Sequence, residues 1–212
     1  MITVVFSDLH GNLPALTKLS DLHRECNHWL SLGDNVNYGP WGDECVQFIE
    51  KELDCRCLRG NHEEYFLSGV YPGKNIVARA FFEFCYEQFT QHKIIEKYLD
   101  SIDIGSYHCT HTVADKYIFH DTDVVIDKNY LIGHSHQQYA VSRGAYSLIN
   151  PGSLGQDRKY INRANYGVYH HETDTFELRN FIYDIDVFVS EMKTQKYPQI
   201  CLDYYQNKER IV

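Results

Sequence analysis

Residues 2–6 form a continuous apolar and β-branched run, the pattern of a strand covered on both faces. Two similar runs follow, 29–32 ending at Gly33-Asp34 and 55–58 closed by Arg59-Gly60. Between the first two runs, Gly11-Asn12 punctuates the chain and Leu13, Leu16, Leu19 and Leu22 return at helical spacing. Between the second and third, Tyr38-Gly39-Pro40 turns the chain, and Val46, Phe48, Ile49 and Leu53 supply the apolar side of another helix. Strand–loop–helix alternation of this kind predicts a largely parallel sheet covered by helices.

Residues 74–100 read as mostly helical, with Phe81, Phe82, Phe84, Phe89, Ile94, Ile95 and Tyr98 available for packing. From about residue 104 the pattern changes to short extended segments at 106–110, 117–119, 123–126, 130–132, 139–142 and 146–149. A hairpin is expected over 166–181, turning near Glu172-Thr173-Asp174. Asp184 is placed to cap a final helix carrying Val187, Phe188 and Met192. No repeat, low-complexity tract or linker interrupts the 212 residues, so a single domain over 1–212 is expected.

Composition narrows the class. With 43% hydrophobic and 23% charged residues the chain reads as globular, and a net charge of −9 argues against an extended nucleic-acid-binding face. Bound divalent cations would change that picture locally, where an anionic substrate docks. Seven cysteines without a C-x-x-C pair read as reduced, mostly buried thiols. The first residues lack a basic leader pattern, and no apolar stretch approaches membrane-spanning length, so no membrane partner and a cytoplasmic location are expected.

The chemistry lies in five clusters: Asp8-Leu9-His10, Gly33-Asp34-Asn35, Gly60-Asn61-His62-Glu63, a histidine between 107 and 112, and Gly133-His134-Ser135-His136. All but the fourth can be placed directly after a strand-like run, so ligands on successive strand ends can converge on one point. Asp8 and His10, two apart, would share a face of a strand. Each cluster alone has a bland reading, as a turn aspartate, a capping asparagine or a solvated loop histidine. Asp34 can bridge two cations with its two oxygens, and Asn61 can ligate a hard cation without adding charge. Arg59, just before the Gly60-Asn61 turn, is a candidate clamp for a phosphate oxygen or a surface ion pair, and Arg158 is a weaker one. The Gly-rich turn 150–155 follows closely on the His134/His136 pair and can floor the site or simply connect strands.

In this order the clusters resemble the calcineurin-like metallophosphoesterase superfamily, whose signature is D-x-H, G-D-x-x, G-N-H-[DE], a lone His and G-H-x-H. The segments 33–40 and 150–155 look like its small prokaryotic predicted-phosphodiesterase branch. The resemblance, which covers about residues 2–155, implies an α/β (α+β) fold: a four-layer, two-sheet β-sandwich flanked by helices. It implies that Asp8, His10, Asp34 and His136 hold one metal, and that Asp34, Asn61, His134 and the lone His hold a second. Two residues compete for the lone His, His111 and His108. His111 is favoured because it leaves room for a strand at 106–110, but the family's usual glycine after it is absent.

The resemblance further implies a dinuclear hydrolase of phosphate esters, a phosphodiesterase or phosphatase, using a hydroxide bridging two divalent ions. Mixed N/O ligands suit Mn, Fe or Zn. His62, next to a ligand, would protonate the leaving alkoxide, with Glu63 or Glu64 orienting it by adjacency alone. The alternative is a catalytically silent metal- or phospho-ligand-binding protein on the same fold. The substrate expected is a small phosphorylated molecule, with nucleotides among the candidates because aromatic residues populate the loops 36–43, 68–78 and 112–122. Oligomeric state is not readable from the pattern.

Overall fold

The computed structural model describes residues 1–114 and 116–212, so Asp115, within one of the expected specificity loops, lies outside the described residues. The first half alternates as the apolar pattern predicts: β1 (Ile2–Phe6), α1 (Leu13–Leu22), β2 (Trp29–Ser31), α2 (Gly42–Lys51), β3 (Arg56–Cys57) and α3 (Asn61–Ser68). Two helices, α4 (Ile76–Gln88) and α5 (His92–Ile95), then lead into β4 (Ser101–Ile104), β5 (Tyr107–Thr110), β6 (Asn129–Leu131), β7 (Gln138–Arg143) and β8 (Tyr146–Pro151). The chain closes with β9 (Arg163–His170), β10 (Thr175–Ile182), α6 (Asp186–Thr194) and α7 (Gln199–Gln206).

The strands form two mixed five-stranded sheets flanked by helices, ordered β10-β9-β1-β2-β3 and β4-β5-β6-β8-β7. In the first, β1, β2 and β3 run parallel, while β9 pairs antiparallel to both β1 and β10. The expectation of a largely parallel sheet therefore needs correcting: the hairpin of the last third joins the first sheet. In the second sheet β5, β6 and β8 run parallel, with β4 and β7 antiparallel on its edges.

β1 shows why its run is unbroken. Val4 and Phe6 pack with the helices on one face, whereas Val5 joins Leu30, Leu131 and Ile149 between the sheets. Fully burying such a side chain contributes roughly 1.5–3 kcal/mol, so a polar residue here would disturb two layers at once. The outer face of the second sheet is covered by an irregular segment rather than by pairing strands. Ile118 and Ile126 pack there on Ile132, Tyr139 and Leu148, and Tyr139 Oη donates to the Ile118 carbonyl at 2.8 Å. That corrects the strands expected at 117–119 and 123–126: their apolar residues are buried by lying on a sheet, not by extending it. β4 and α7 were not anticipated, and Asp184 does accept the Asp186 N–H at 2.9 Å, but α6 is not the final helix.

Cys45, Cys57, Cys109 and Cys201 are buried free thiols. Among the described residues no helix is long and apolar enough to cross a membrane.

Candidate metal centre

Parallel strands in one sheet end at the same edge, so the loops after β1, β2 and β3 are neighbours. Backbone bonds knit them together: Asp8 N–H donates to Gly33 O at 2.9 Å and His10 N–H to Asp34 O at 3.0 Å. In the second sheet His111 follows β5, and His134 and His136 follow β6. Gly133 N–H donates to His111 O at 2.9 Å, which ties those two ends. The facing sheets thus bring Asp8, His10, Asp34, Asn61, His111, His134 and His136 to one buried place, with His62 alongside.

The backbone there is not the extended strand expected from the two-residue spacing. Asp8, His10, Asp34, His134 and His136 have φ between 51° and 66°, in the left-handed region. For L-residues this costs roughly 1–2 kcal/mol each, and short polar side chains pay least. The strain is held by close packing and side-chain bonds. Gly33 has φ +104°, and a Cβ on it would come 2.7 Å from Gly60 N and 2.9 Å from His111 Nδ1. A Cβ on Gly60 would run into the Asp34 carboxylate. Glu63 accepts three backbone N–H groups, from Asp34 at 2.8 Å, Asn35 at 2.7 Å and Gly60 at 2.8 Å, clamping the two ligand loops to each other. Burial and the nearby Asp34 charge raise the Glu63 carboxyl to about 7, against the pull of those three donors.

The 150–155 turn lies beneath the loops after β1 and β6. Asn150 Nδ2 donates to Gly133 O at 2.6 Å, Ser153 Oγ to Asp8 O at 2.7 Å, and Gly155 N–H to Asp8 O at 3.2 Å.

Tautomers follow from the carbonyls that the rings face. Nδ1 of His10 lies 3.1 Å from Val36 O, that of His136 2.8 Å from Gln156 O, and that of His111 2.8 Å from Leu32 O. A carbonyl can only accept, so each Nδ1 carries a proton and each neutral ring turns an Nε2 lone pair inward. Such second contacts are what orient imidazoles in metal sites. His10 Nε2 and His136 Nε2 face one another at 3.2 Å, and Asp8 Oδ1 lies 3.2 Å from His136 Nε2. That carboxylate oxygen is buried without a well-directed hydrogen-bond donor. Three acceptors converging without a donor fit a cation.

The other end of the cluster is built differently. His111 Nε2 lies 3.1 Å from Asp34 Oδ2. The end of the Asn61 amide lies 2.7 Å from His134 Nδ1 and 3.3 Å from both Asp34 Oδ2 and His111 Nε2. With its NH2 turned inward this amide donates to His134 Nδ1 and Asp34 Oδ2; with its oxygen inward it adds a lone pair for a cation. The donor set of carboxylate, amide and two imidazoles suits a hard or borderline divalent ion.

Charge follows the same division. Burial disfavours the His111 imidazolium, but the Asp34 carboxylate outweighs it and raises the ring to about 10. Burial and His111 together lower His134 to about 4. Burial, His136 and His62 hold His10 well below its ordinary value. Burial would raise the Asp8 carboxyl, but the imidazoles of His136 and His111 outweigh it and hold it well below the carboxylate range.

His108 stays outside the cluster, its Nδ1 paired with Asp103 Oδ1 at 2.6 Å, while His111 is inside. His62 is held by Asn37 rather than by Glu63 or Glu64, which corrects the expectation drawn from adjacency. Asn37 Oδ1 accepts the Tyr38 N–H at 2.8 Å and its Nδ2 lies 2.9 Å from His62 Nδ1, so the amide donates to that nitrogen. The resting His62 ring therefore carries its proton on Nε2, and burial lowers its pKa. Arg59 turns away: its guanidinium donates to Glu96 O and Tyr98 O at 3.0 Å and lies 3.6 Å from Asp100. Arg158 instead lines the cavity over the cluster, with Nε 3.3 Å from Ser135 O.

Comparison with known proteins is consistent with this geometry. The sequence profile of the calcineurin-like phosphoesterase superfamily domain matches residues 1–174. An uncharacterised protein of Methanocaldococcus jannaschii is 28% identical over 234 aligned positions, covering 94% of each chain. Among solved structures, a metallophosphoesterase from Sphaerobacter thermophilus superposes with a TM-score of 0.75 at 22% identity, covering 97% of this chain and 99% of that one. A hypothetical protein from Pyrococcus horikoshii superposes with a TM-score of 0.77 at 15% identity, covering 99% of each chain.

Proposed function

The chain belongs to the calcineurin-like phosphoesterase superfamily, and we propose that it hydrolyses small phosphate esters, nucleotide-like diesters among them, with the help of two divalent cations. The observation that carries this reading is the convergence of inward-facing lone pairs from Asp8, His10 and His136 beside the Asp34, Asn61, His111 and His134 set. The first three, with Asp34, would hold one cation. Asp34, Asn61, His111 and His134 would hold the second, so Asp34 is common to both. Mn, Fe and Zn all suit these donors. When bound, the cations supply Lewis acidity, lowering the pKa of water and offsetting charge on phosphoryl oxygens.

The protein's own groups do the rest. Arg158 lines the cavity over the cluster, and no carboxylate pairs with it among the described residues, so its guanidinium is free to bind a phosphoryl oxygen. With its own guanidinium spent on carbonyls, Arg59 is the weaker candidate for that role. His62 Nε2–H is the donor for the leaving-group oxygen. Asn37 keeps the resting ring neutral, and full proton transfer requires the amide to turn its oxygen toward Nδ1 as the ring takes up a second proton.

The test is hydrolysis of bis(p-nitrophenyl) phosphate by chelator-treated protein, with and without added Mn²⁺. Metal-dependent release of nitrophenolate is expected. Full metal binding with no turnover on any diester or monoester would leave a silent binding protein instead.

A further inference from the structure

Two cavities flank the cluster and meet across Asn61, Tyr65, Tyr117 and His134. One, of about 160 Å³, lies over the ligand residues and contains His62 and Arg158. The other, of about 400 Å³, lies beyond Asn61 and His134 and is bounded by Arg59, Glu64, Asp100, Thr110 and Thr112. A phosphomonoester has one organic arm and would use one of these spaces. A diester has two arms diverging from phosphorus and can use both.

We infer that the larger cavity is the subsite for the arm of a phosphodiester that stays on phosphorus, and that this arm is a neutral nucleoside. The inference rests on the hydrolase reading above. Two aromatic side chains, Tyr65 and Tyr117, wall the cavity, and Tyr117 is stacked on His134 with ring centroids 3.9 Å apart at 24°. The wall is thus anchored directly to the cluster, and flat rings suit a heterocycle. The Thr110 and Thr112 hydroxyls donate to the Thr112 and Lys116 carbonyls and keep lone pairs that can accept from a sugar hydroxyl. The charged groups at its mouth are Arg59, already tied to Asp100, and the Glu64 carboxylate, with the His111 imidazolium on the inner wall. With Arg59 engaged by Asp100, the outer rim offers a second phosphate the Glu64 carboxylate and, among the described residues, no free cation, so a polyphosphate chain does not belong there.

The direction of cleavage follows from His62, which opens only onto the smaller cavity. The arm beside His62 leaves. Water oxygen bonds to phosphorus, the phosphorus–oxygen bond to that arm breaks, and its oxygen departs as an alcohol after gaining a proton. Water's other proton is lost to solvent, and the nucleoside arm is released as a phosphomonoester.

The deciding substrate is the methyl ester of thymidine 5′-phosphate, because its two leaving alkoxides are similar and intrinsic reactivity does not choose between them. The Mn²⁺-loaded protein should yield thymidine 5′-phosphate and methanol. Thymidine and methyl phosphate as products would overturn the inference. Filling the cavity with Thr112→Trp should lower kcat/KM for the thymidine diester relative to methyl p-nitrophenyl phosphate by about tenfold or more; an unchanged ratio in a folded variant would also overturn it. If neither diester is cleaved, the hydrolase reading falls. The subsite is then decided by calorimetry: thymidine 5′-phosphate binding that Thr112→Trp does not weaken counts against it.

Discussion

Around Asp8, His10 and His136 a carboxylate oxygen faces two Nε2 atoms that are acceptors in the neutral rings, whereas around Asp34 and His111 a proton on the imidazole joins the pair. The first group is poorly satisfied without a cation. The second satisfies itself, with His111 raised to about 10 and the Asn61 amide able to donate inward. The contrast teaches that ligand identity alone does not set how a site behaves when empty. The carbonyl behind each ring and the charge in front of it do so. A cation entering the second group must expel the proton that His111 holds there.

The harshest way to break this division is Asp34→Asn, because Asp34 would be shared by both proposed cations. Activity should fall by more than the roughly 10²–10⁴-fold expected of an acid–base residue, and metal analysis should find both positions weakened. His62→Ala comes next. It should slow alkyl or ribosyl ester hydrolysis by about 10²–10⁴-fold and p-nitrophenyl esters much less, with metal content unchanged. Equal losses on both substrates would mean that His62 positions the phosphate and does not protonate the leaving group.

Glu63→Ala removes an acceptor from three buried N–H groups. With three buried donors left without an acceptor at roughly 1–3 kcal/mol each, a loss of at least about 3 kcal/mol in unfolding stability is expected, and denaturant titration reads it. His111→Ala should lower only the second cation's occupancy, and His108→Ala, beside Asp103, should leave both intact.

The smallest effect concerns pH. The folded pKa of His111 is raised from 6.5 to about 10, and that of Asp34 is lowered from 3.8. In metal-free protein the pair's stabilisation is therefore full between those unfolded values. It fades as pH rises through about 10, and again as pH falls through the lowered Asp34 value. Affinity for the second cation should rise about tenfold per pH unit above neutrality, as His111 must lose its proton. Calorimetry in buffers of different ionisation enthalpy should find one proton released as the second cation binds.

The candidate ligands were readable because all but His111 follow a continuous apolar run that reads as a buried strand, and His111 was favoured because it leaves room for β5 before it. What holds them was not readable. Glu63 bonds backbone 28 and 29 residues away, and Asn37 reaches His62 across 25 residues; such pairs have no period to detect. Nor does any pattern announce a left-handed φ at Asp8 or His136. The misread strands near Ile118 and Ile126 show the other limit. Burial selects apolar residues whether or not the backbone pairs, so composition alone cannot separate a strand from a segment lying on one.

Activity measured against equivalents of Mn²⁺ per chain, in stripped protein at neutral pH, separates the two ends of the cluster. Hydrolysis of bis(p-nitrophenyl) phosphate should remain low through the first equivalent, which fills the Asp8–His10–His136 end, and reach its plateau as the second enters beside His111. Full activity in stripped protein, or a plateau already reached at the first equivalent, would contradict the account.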